Sequence, residues 1–304
     1  MPHAPLVVWA VRDGKAGHEN QTRGLLQALV RLHPLDVHWI DPLPLSALFM
    51  DLLLHRFTPG RDLPDPVLLI GAGHGTHLPL LAARRARGGR IALLMKPTLP
   101  RAWFDLCIVP EHDQVRGDNV LVTRGALNSV SASAEKDPDA GLILVGGPSR
   151  HHGWDEAALL AQIQEILSRD GDIRWTLTTS RRTPASTLAH LGVLSAPNLK
   201  VVPFADTDRD WLPAQLARAT RVWVTEDSAS MLYEALTARA ATGVLPAPAK
   251  GESRIARGVA ALARDGMVTG FRDWQQGKAL APPATPFDEA ARVAEWISER
   301  WLRR

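Results

Sequence analysis

The chain has 304 residues, too many for one ordinary α/β core and enough for two domains. Its 35 Lys and Arg against 32 Asp and Glu leave a net +3. No Lys/Arg-rich run with interleaved aromatic residues appears, which argues against a nucleic-acid partner and leaves an anionic small ligand or a membrane surface open. The single cysteine, Cys107, excludes an internal disulfide, fits a reduced compartment and reads as a small buried side chain within the apolar run 104–109. No apolar run reaches the roughly 20 residues of a spanning helix, and the first strand runs too soon into a polar loop to read as a signal peptide.

Residues 6–11 (LVVWAV) form a continuous apolar run of the kind buried on both faces of a parallel sheet. Residues 13–22 (DGKAGHENQT) follow, and Leu25, Leu26, Leu29 and Leu32 then recur at helical spacing, so the loop joins a first strand to a first helix. Gly14 and Gly17 allow a tight turn, Lys15 supplies a cation, and His18 can move a proton near neutral pH. Without a GK[ST] ending this is not a Walker A loop, but glycine, lysine and histidine in one βα loop mark an anion or catalytic site. Leu45, Leu48, Phe49, Leu52 and Leu53 make an apolar helical stripe widened by Met50, Leu54 and Phe57. It reads as core-facing or, with His55, Arg56 and Arg61 beside it, as a surface that touches lipid or a partner.

Residues 66–70 read as a strand running into Gly71-Ala72-Gly73-His74-Gly75, whose glycines permit close approach by a ligand or a neighbouring loop. With no carboxylate or cysteine pattern alongside, His74 and His77 read as loop histidines rather than metal ligands. Residues 91–95, 106–110 and 120–123 are further short strands. The second of these closes on Glu111-His112-Asp113, either a functional cluster or a polar rim. Residues 131–140 (SASAEKDPDA), small, polar and proline-containing, read as the interdomain linker.

The second half restarts the rhythm. Residues 142–145 are a strand, Gly146-Gly147-Pro148-Ser149 a loop, and Leu159, Ile163, Ile166 and Leu167 mark a helix. Ile173, Trp175 and Leu177 alternate as a strand ending in TTSRRTP, residues 178–184. Two arginines beside four hydroxyl residues suit a diphosphate, or make a solvated turn before a proline-started helix. After a strand at 201–204 comes the stretch 221–235, RVWVTEDSASMLYEA. Val222, Trp223 and Val224 end a buried strand, Asp227 or Ser228 supplies an N-cap, and a helix carries Met231 to Leu236. Ser230 and Glu234 share a helical face close to backbone N–H groups that favour a phosphate, a pairing that suits the ribose and diphosphate of a nucleotide. The same residues also describe a plain capped helix with a solvated Glu234. Ala290, Val293, Ala294 and Ile297 give the last helix. The alternation predicts two doubly wound, Rossmann-like α/β domains facing a cleft, residues 1–135 and 136–285, with a terminal helix in 286–304 packing back towards the first.

The segments DGKAGH-x-NQT, FDLCIVPEHD, GGPS, TTSRRTP and TEDSASMLYEA, in this order and over nearly the whole chain, resemble the mitochondrial-fission family. That family comprises plant proteins that recruit a dynamin-related GTPase and bacterial relatives often labelled nucleoside-diphosphate-sugar epimerases. More distantly, the layout resembles GT-B glycosyltransferases such as the lipid-linked N-acetylglucosaminyltransferase of peptidoglycan synthesis. There a glycine-rich loop ending in histidine follows the first strand, a GG loop opens the second domain, and a helix begun by Ser and carrying Glu grips the sugar nucleotide. In this chain His18 stands in DGKAGH rather than in an all-glycine loop.

What the resemblance implies is a nucleoside-diphosphate sugar held by Gly146, Gly147, Ser149, Ser180, Arg181, Arg182, Asp227, Ser228, Ser230 and Glu234. It also implies an acceptor or phosphate loop of Asp13, Gly14, Lys15, Gly17, Asn20 and Gln21. Glu234 would take the ribose hydroxyls, Ser228 and the helix N-terminus the diphosphate, and Arg181 or Arg182 the leaving charge, a job this fold does without a metal. His18 would be the general base, with Asp113 the second candidate. No cofactor or metal is called for. The acceptor is unidentified, a lipid-linked one being compatible, and the protein would be cytoplasmic or peripheral to the inner membrane; the oligomeric state stays open. A short-chain-dehydrogenase-type epimerase needs a lysine four residues after its tyrosine, and Tyr233 is followed there by Thr237, so NAD-dependent epimerisation is rejected. Asp206-Thr207-Asp208 matches a metal-binding Asp-x-Asp, but three other pairs match equally well. The rival reading is a non-catalytic adaptor that binds a partner protein. Lys15, His18, Arg181, Arg182 and Glu234 at strand ends speak against a pure scaffold.

Overall fold

The computed structural model describes residues 4–251 and 254–303; the side chains of Leu45, Arg254 and Ile255 lie outside that description. The chain divides into two compact units, Met1–Ser129 with Asp288–Arg304, and Val130–Phe287. The first runs β1 (Leu6–Val11), α1 (Ala16–Val30), β2 (Leu35–Ile40), α2 (Leu45–Leu53), β3 (Leu68–Ala72), α3 (His77–Arg87), β4 (Arg90–Leu94), β5 (Leu106–Pro110) and β6 (Val120–Thr123). The second runs β7 (Asp137–Leu144), α4 (Glu156–Arg169), β8 (Arg174–Thr178), α5 (Ala185–Val193), β9 (Leu199–Val202), α6 (Trp211–Arg218) and β10 (Ala219–Thr225). It continues through α7 (Ala229–Thr237), β11 (Ala241–Leu245), α8 (Arg254–Arg264), β12 (Thr269–Gly270) and α9 (Phe271–Gln275), after which α10 (Glu289–Ile297) returns to the first unit.

Both sheets have six strands, ordered β2-β1-β3-β4-β5-β6 and β12-β11-β10-β7-β8-β9, and their ladders are parallel. A parallel strand covered on both faces must be apolar throughout, and the period of two divides its side chains between two cores. Val8 and Ala10 accordingly join one core of the first unit, while Trp9 and Val11 join the other. In the second unit Leu142, Leu144, Val222 and Val224 face one core, and Ile143, Val145 and Trp223 the other. Cys107, inside β5, is buried, and burial pushes its thiol up to about 11, so it packs as a protonated small side chain.

Three sequence expectations need correction, and one strand escapes the sequence signal. The apolar spacing carries α1 to Leu32, but the helix ends at Val30 and Leu32 is exposed, because Pro34 lacks a donor and disfavours helical backbone at His33. The linker reading of 131–140 gives way to strand from Asp137. There Arg174 pairs with the Asp137 carboxylate at 2.7 Å, and the Thr220 hydroxyl donates to the Pro138 and Ala140 carbonyls. Strand β2 escapes the apolar-run criterion because it is an edge strand, Asp36 and His38 alternating with Leu35, Val37 and Trp39. His77 is no loop residue: it opens α3, is buried against Phe104, and meets the Thr98 hydroxyl at 3.2 Å through Nδ1.

Helix α10 starts at Asp288, whose Oδ1 accepts the Ala291 N–H at 2.8 Å. Its Ala290, Val293, Ala294 and Ile297 join Leu25, Ala28 and Leu29 of α1 in the first unit's core. In each sheet the direction of strand winding reverses once, between β1 and β3 and between β7 and β10. Ligands of open α/β sheets bind at the carboxyl ends of strands flanking such a reversal.

Candidate functional site

At the β1/β3 reversal, β1 delivers Asp13 and the first turn of α1 delivers His18. Gly14, at φ +78°, turns the chain between them, a conformation that costs a glycine least. The carboxylate Oδ2 of Asp13 lies 2.9 Å from His18 Nδ1, with Asp13 7% and His18 18% exposed. The other carboxylate oxygen accepts the Lys15 N–H at 3.2 Å, and Lys15 Nζ stands 3.9 Å from Oδ2. Across from them runs the loop after β3. A Cβ added at Gly73 would lie 2.4 Å from the His18 ring, so the imidazole rests directly on that backbone. Of the two partners that the glycines of residues 71–75 permit, the neighbouring loop is the one in place.

A carboxylate on Nδ1 fixes the proton there and leaves Nε2 as the lone-pair nitrogen, the arrangement that a general base requires. The sequence brings Asp13 forward only as a loop residue; its pairing with His18 depends on the backbone reversal at Gly14. Gly17 and Lys15 are exposed, Asn20 accepts the Ser129 hydroxyl at 2.6 Å, and Gln21 is half-buried in the second turn of α1. Asp113 lies in the turn after β5, three strands from β1 in the sheet order, so it stands apart from His18.

At the β7/β10 reversal the GG loop meets the start of α7. The Gly146 N–H donates to the Thr225 hydroxyl at 2.8 Å, and the Gly147 N–H to Asp227 Oδ2 at 3.0 Å. The same Oδ2 accepts from Arg182 Nη2 at 2.7 Å, and Arg182 Nη1 donates to the Gly147 carbonyl at 2.6 Å. The Asp227 side chain is fully buried, and a Cβ at Gly146 would fall 2.3 Å from its carboxylate. Three loops are thus tied by one ion pair. Asp227 Oδ1 is buried without a hydrogen-bond partner among the described residues.

Arg182 is committed to Asp227 and the GG loop, while Arg181 is exposed and stacked over Phe204 at 5.5 Å. Asp227 caps nothing: the N-cap position is Ser228, and its hydroxyl makes no capping bond. Ser149 Oγ accepts the N–H groups of His151 and His152, and Ser180 Oγ accepts that of Arg182, so both hydroxyls hold their own loops. Ser228 is buried, Ser230 exposed and Glu234 half-buried, the last two one turn apart on α7. Thr225 and Thr183, which the sequence reading leaves aside as site residues, brace the glycine loop; Thr183 Oγ1 lies 3.2 Å from the Val145 carbonyl. Among the described residues, no group of three or more His, Cys, Asp and Glu side chains is placed to hold a metal ion.

No curated protein matches the chain by sequence. Among solved structures it is similar to a candidate UDP-N-acetylglucosamine 2-epimerase from Listeria monocytogenes, at 12% identity over 99% of this chain and 98% of that one, with a TM-score of 0.63. It is also similar to a UDP-GlcNAc 2-epimerase from Neisseria meningitidis bound to UDP-GlcNAc, at 11% identity over 98% and 100%, TM-score 0.53. A third is Phytolacca americana UGT2 complexed with UDP-2-fluoro-glucose and pterostilbene, at 11% over 99% and 91%, TM-score 0.52. At such identities the likeness establishes the fold, a two-domain α/β architecture of the GT-B kind. A family model described as "Mitochondrial fission ELM1" matches residues 16–301, a span that takes in His18, the GG loop and α7. The chain belongs to the mitochondrial fission ELM1 family.

Proposed function

We propose that the protein takes a nucleoside-diphosphate sugar as donor and transfers the sugar to an acceptor, a lipid-linked one at a membrane surface being the reading we favour. The observation that carries this is the Asp13–His18 pair at the β1/β3 reversal, 2.9 Å apart and resting on Gly73. In the transfer, an acceptor oxygen attacks the anomeric carbon, the carbon–phosphate-oxygen bond breaks, and the nucleoside diphosphate leaves with the electron pair. The acceptor's proton passes to His18 Nε2, and Asp13 stabilises the imidazolium that forms. In the second unit, Glu234 hydrogen-bonds the ribose. The N–H groups opening α7, together with Ser228, Ser230 and Arg181, receive the diphosphate.

A second reading has its own observation. The Gly147 N–H and the Arg182 guanidinium, which an anion would seek, are already satisfied by Asp227, as in a fold whose nucleotide seat has become structural. An adaptor that binds a partner protein would look like this. Calorimetric titration with UDP, GDP, CMP and ADP, run in parallel on Glu234→Ala, separates the two. Binding of one nucleotide, weakened at least tenfold in the variant, supports the donor site. No binding of any by the folded protein moves the assignment to the adaptor.

A further inference from the structure

Helix α2 has nine residues, about two and a half turns, and can bury only one stripe. Leu48 does so, entering the core that Trp9, Leu80 and Phe57 share. Asp51 turns inward too, its carboxylate accepting the Thr58 N–H at 2.8 Å and the Thr58 hydroxyl at 2.7 Å, which folds the chain back after the helix. What remains is a face of four large apolar side chains: Phe49 at 68%, Met50 at 51%, Leu53 at 65% and Leu54 at 50% exposure. Their spacing, i, i+1, i+4, i+5, puts them on one side of the helix. Among the described residues, the other exposed large hydrophobic side chains are separate in sequence or, as with Val30 and Leu32, near in pairs.

Arginines stand beside this face. Arg56 follows the helix, Arg61 lies just beyond it in the chain, and Arg85 of α3 donates to the His55 ring. Arg56, Arg61 and Arg85 have no carboxylate partner among the described residues. Between residues 45 and 63 the acids are Asp51, already engaged with Thr58, and the exposed Asp62. Arg84 and Arg87 of α3 are neutralised by Asp105 and Asp65.

We propose that this face docks on an anionic lipid bilayer, Phe49, Met50, Leu53 and Leu54 entering the boundary between headgroups and acyl chains while Arg56, Arg61 and Arg85 reach lipid phosphates. The charge pattern selects this occupant. Guanidiniums without a carboxylate partner beside an apolar centre match a surface that is negative everywhere and apolar beneath, whereas a protein partner would have to supply its own acidic border around an apolar centre. The inference rests on the membrane-surface part of the reading above and is independent of the transfer chemistry. One patch of this size gives reversible, salt-sensitive attachment.

The test is co-sedimentation of the full chain with phosphatidylcholine vesicles containing or lacking phosphatidylglycerol, at low and high salt and without nucleotide. Binding should be at least tenfold stronger to the anionic vesicles and fall with salt. Phe49→Glu/Leu53→Glu should abolish it, and Arg56→Glu/Arg85→Glu should remove the preference for anionic lipid, with thermal unfolding and nucleotide titration unchanged in both. The proposal is overturned by failure of the wild type to sediment, by equal binding to neutral vesicles, or by a Phe49→Glu/Leu53→Glu variant that binds like wild type. Self-association lost in that variant, with no vesicle binding, would overturn it in favour of a second copy of the chain. Vesicle binding without nucleotide binding would leave this surface standing and remove the transferase reading; the reverse would do the opposite.

Discussion

A carboxylate that accepts from Nδ1 decides which ring nitrogen of a histidine keeps its lone pair, and Asp13 does this for His18 from five residues away. In the wild type, imidazole nitrogen shifts should report the Nδ1–H tautomer for neutral His18, and Asp13→Ala should lose that preference with circular dichroism unchanged. Persistence of the tautomer in the variant would remove Asp13 from the role. Arg182 presents a different balance: its guanidinium compensates a fully buried carboxylate while itself being 40% exposed. Arg182→Ala should therefore cost about 2 kcal/mol, less than the 3–5 of a fully buried pair. Asp227→Asn, which keeps an oxygen for the Gly147 N–H, should cost less; urea unfolding measures both.

His77 ties stability to pH, because burial, with His74 adding to it, holds its imidazole below the ordinary 6.5. The fold keeps the ring neutral whereas the unfolded chain takes up a proton near that value. Stability is thus fully present above it and lost as pH falls towards the folded-state value, by at most about 1.4 kcal/mol per pH unit. His77→Gln should flatten that slope in denaturation curves between pH 7 and 5. At this scale the sequence shows His18, the glycine loops and Glu234, since residue type alone marks them. It conceals the pairings, because Asp13 reaches His18 only through the reversal at Gly14, and Asp227 acts on a loop 80 residues earlier.

Elements with one dominant period are the readable ones. Strands β1, β5 and β6 stand where their apolar runs put them, and α4 follows its Leu159, Ile163, Ile166 spacing. Strand β2 and helix α3 escape because their signals are mixed: an edge strand alternates with polar residues, and α3 carries Pro79 in its first turn and three arginines in its last. Helix α10 presents Ala290, Val293, Ala294 and Ile297 at regular spacing, but that stripe does not say which core it fills. It fills the first unit's, from the far end of the chain. Ile297→Ala should accordingly cost about 2–4 kcal/mol of that unit's stability. A chain ending after Phe287 should lose the first unit's folding while the second keeps its own, which amide exchange reads unit by unit.

The whole molecule consists of two units with separate cores, one pair of apolar clusters in each. If the donor seat lies at the β7/β10 reversal, its residues all belong to the second unit, and so must the stabilisation that a bound nucleotide confers. At a hundredfold excess over Kd a ligand adds about 2.7 kcal/mol to the state that binds it, worth roughly 5–10 °C for a unit of this size. UDP, or whichever nucleotide binds, should then slow amide exchange in β7, β10 and α7 and raise the second unit's transition, leaving α1, β3 and α10 as they were; Glu234→Ala should erase the shift. Equal protection of both units would instead mean that the nucleotide contacts the Asp13–His18 edge directly. His18 would then belong to the donor's own site, and the base for the acceptor would have to be sought elsewhere.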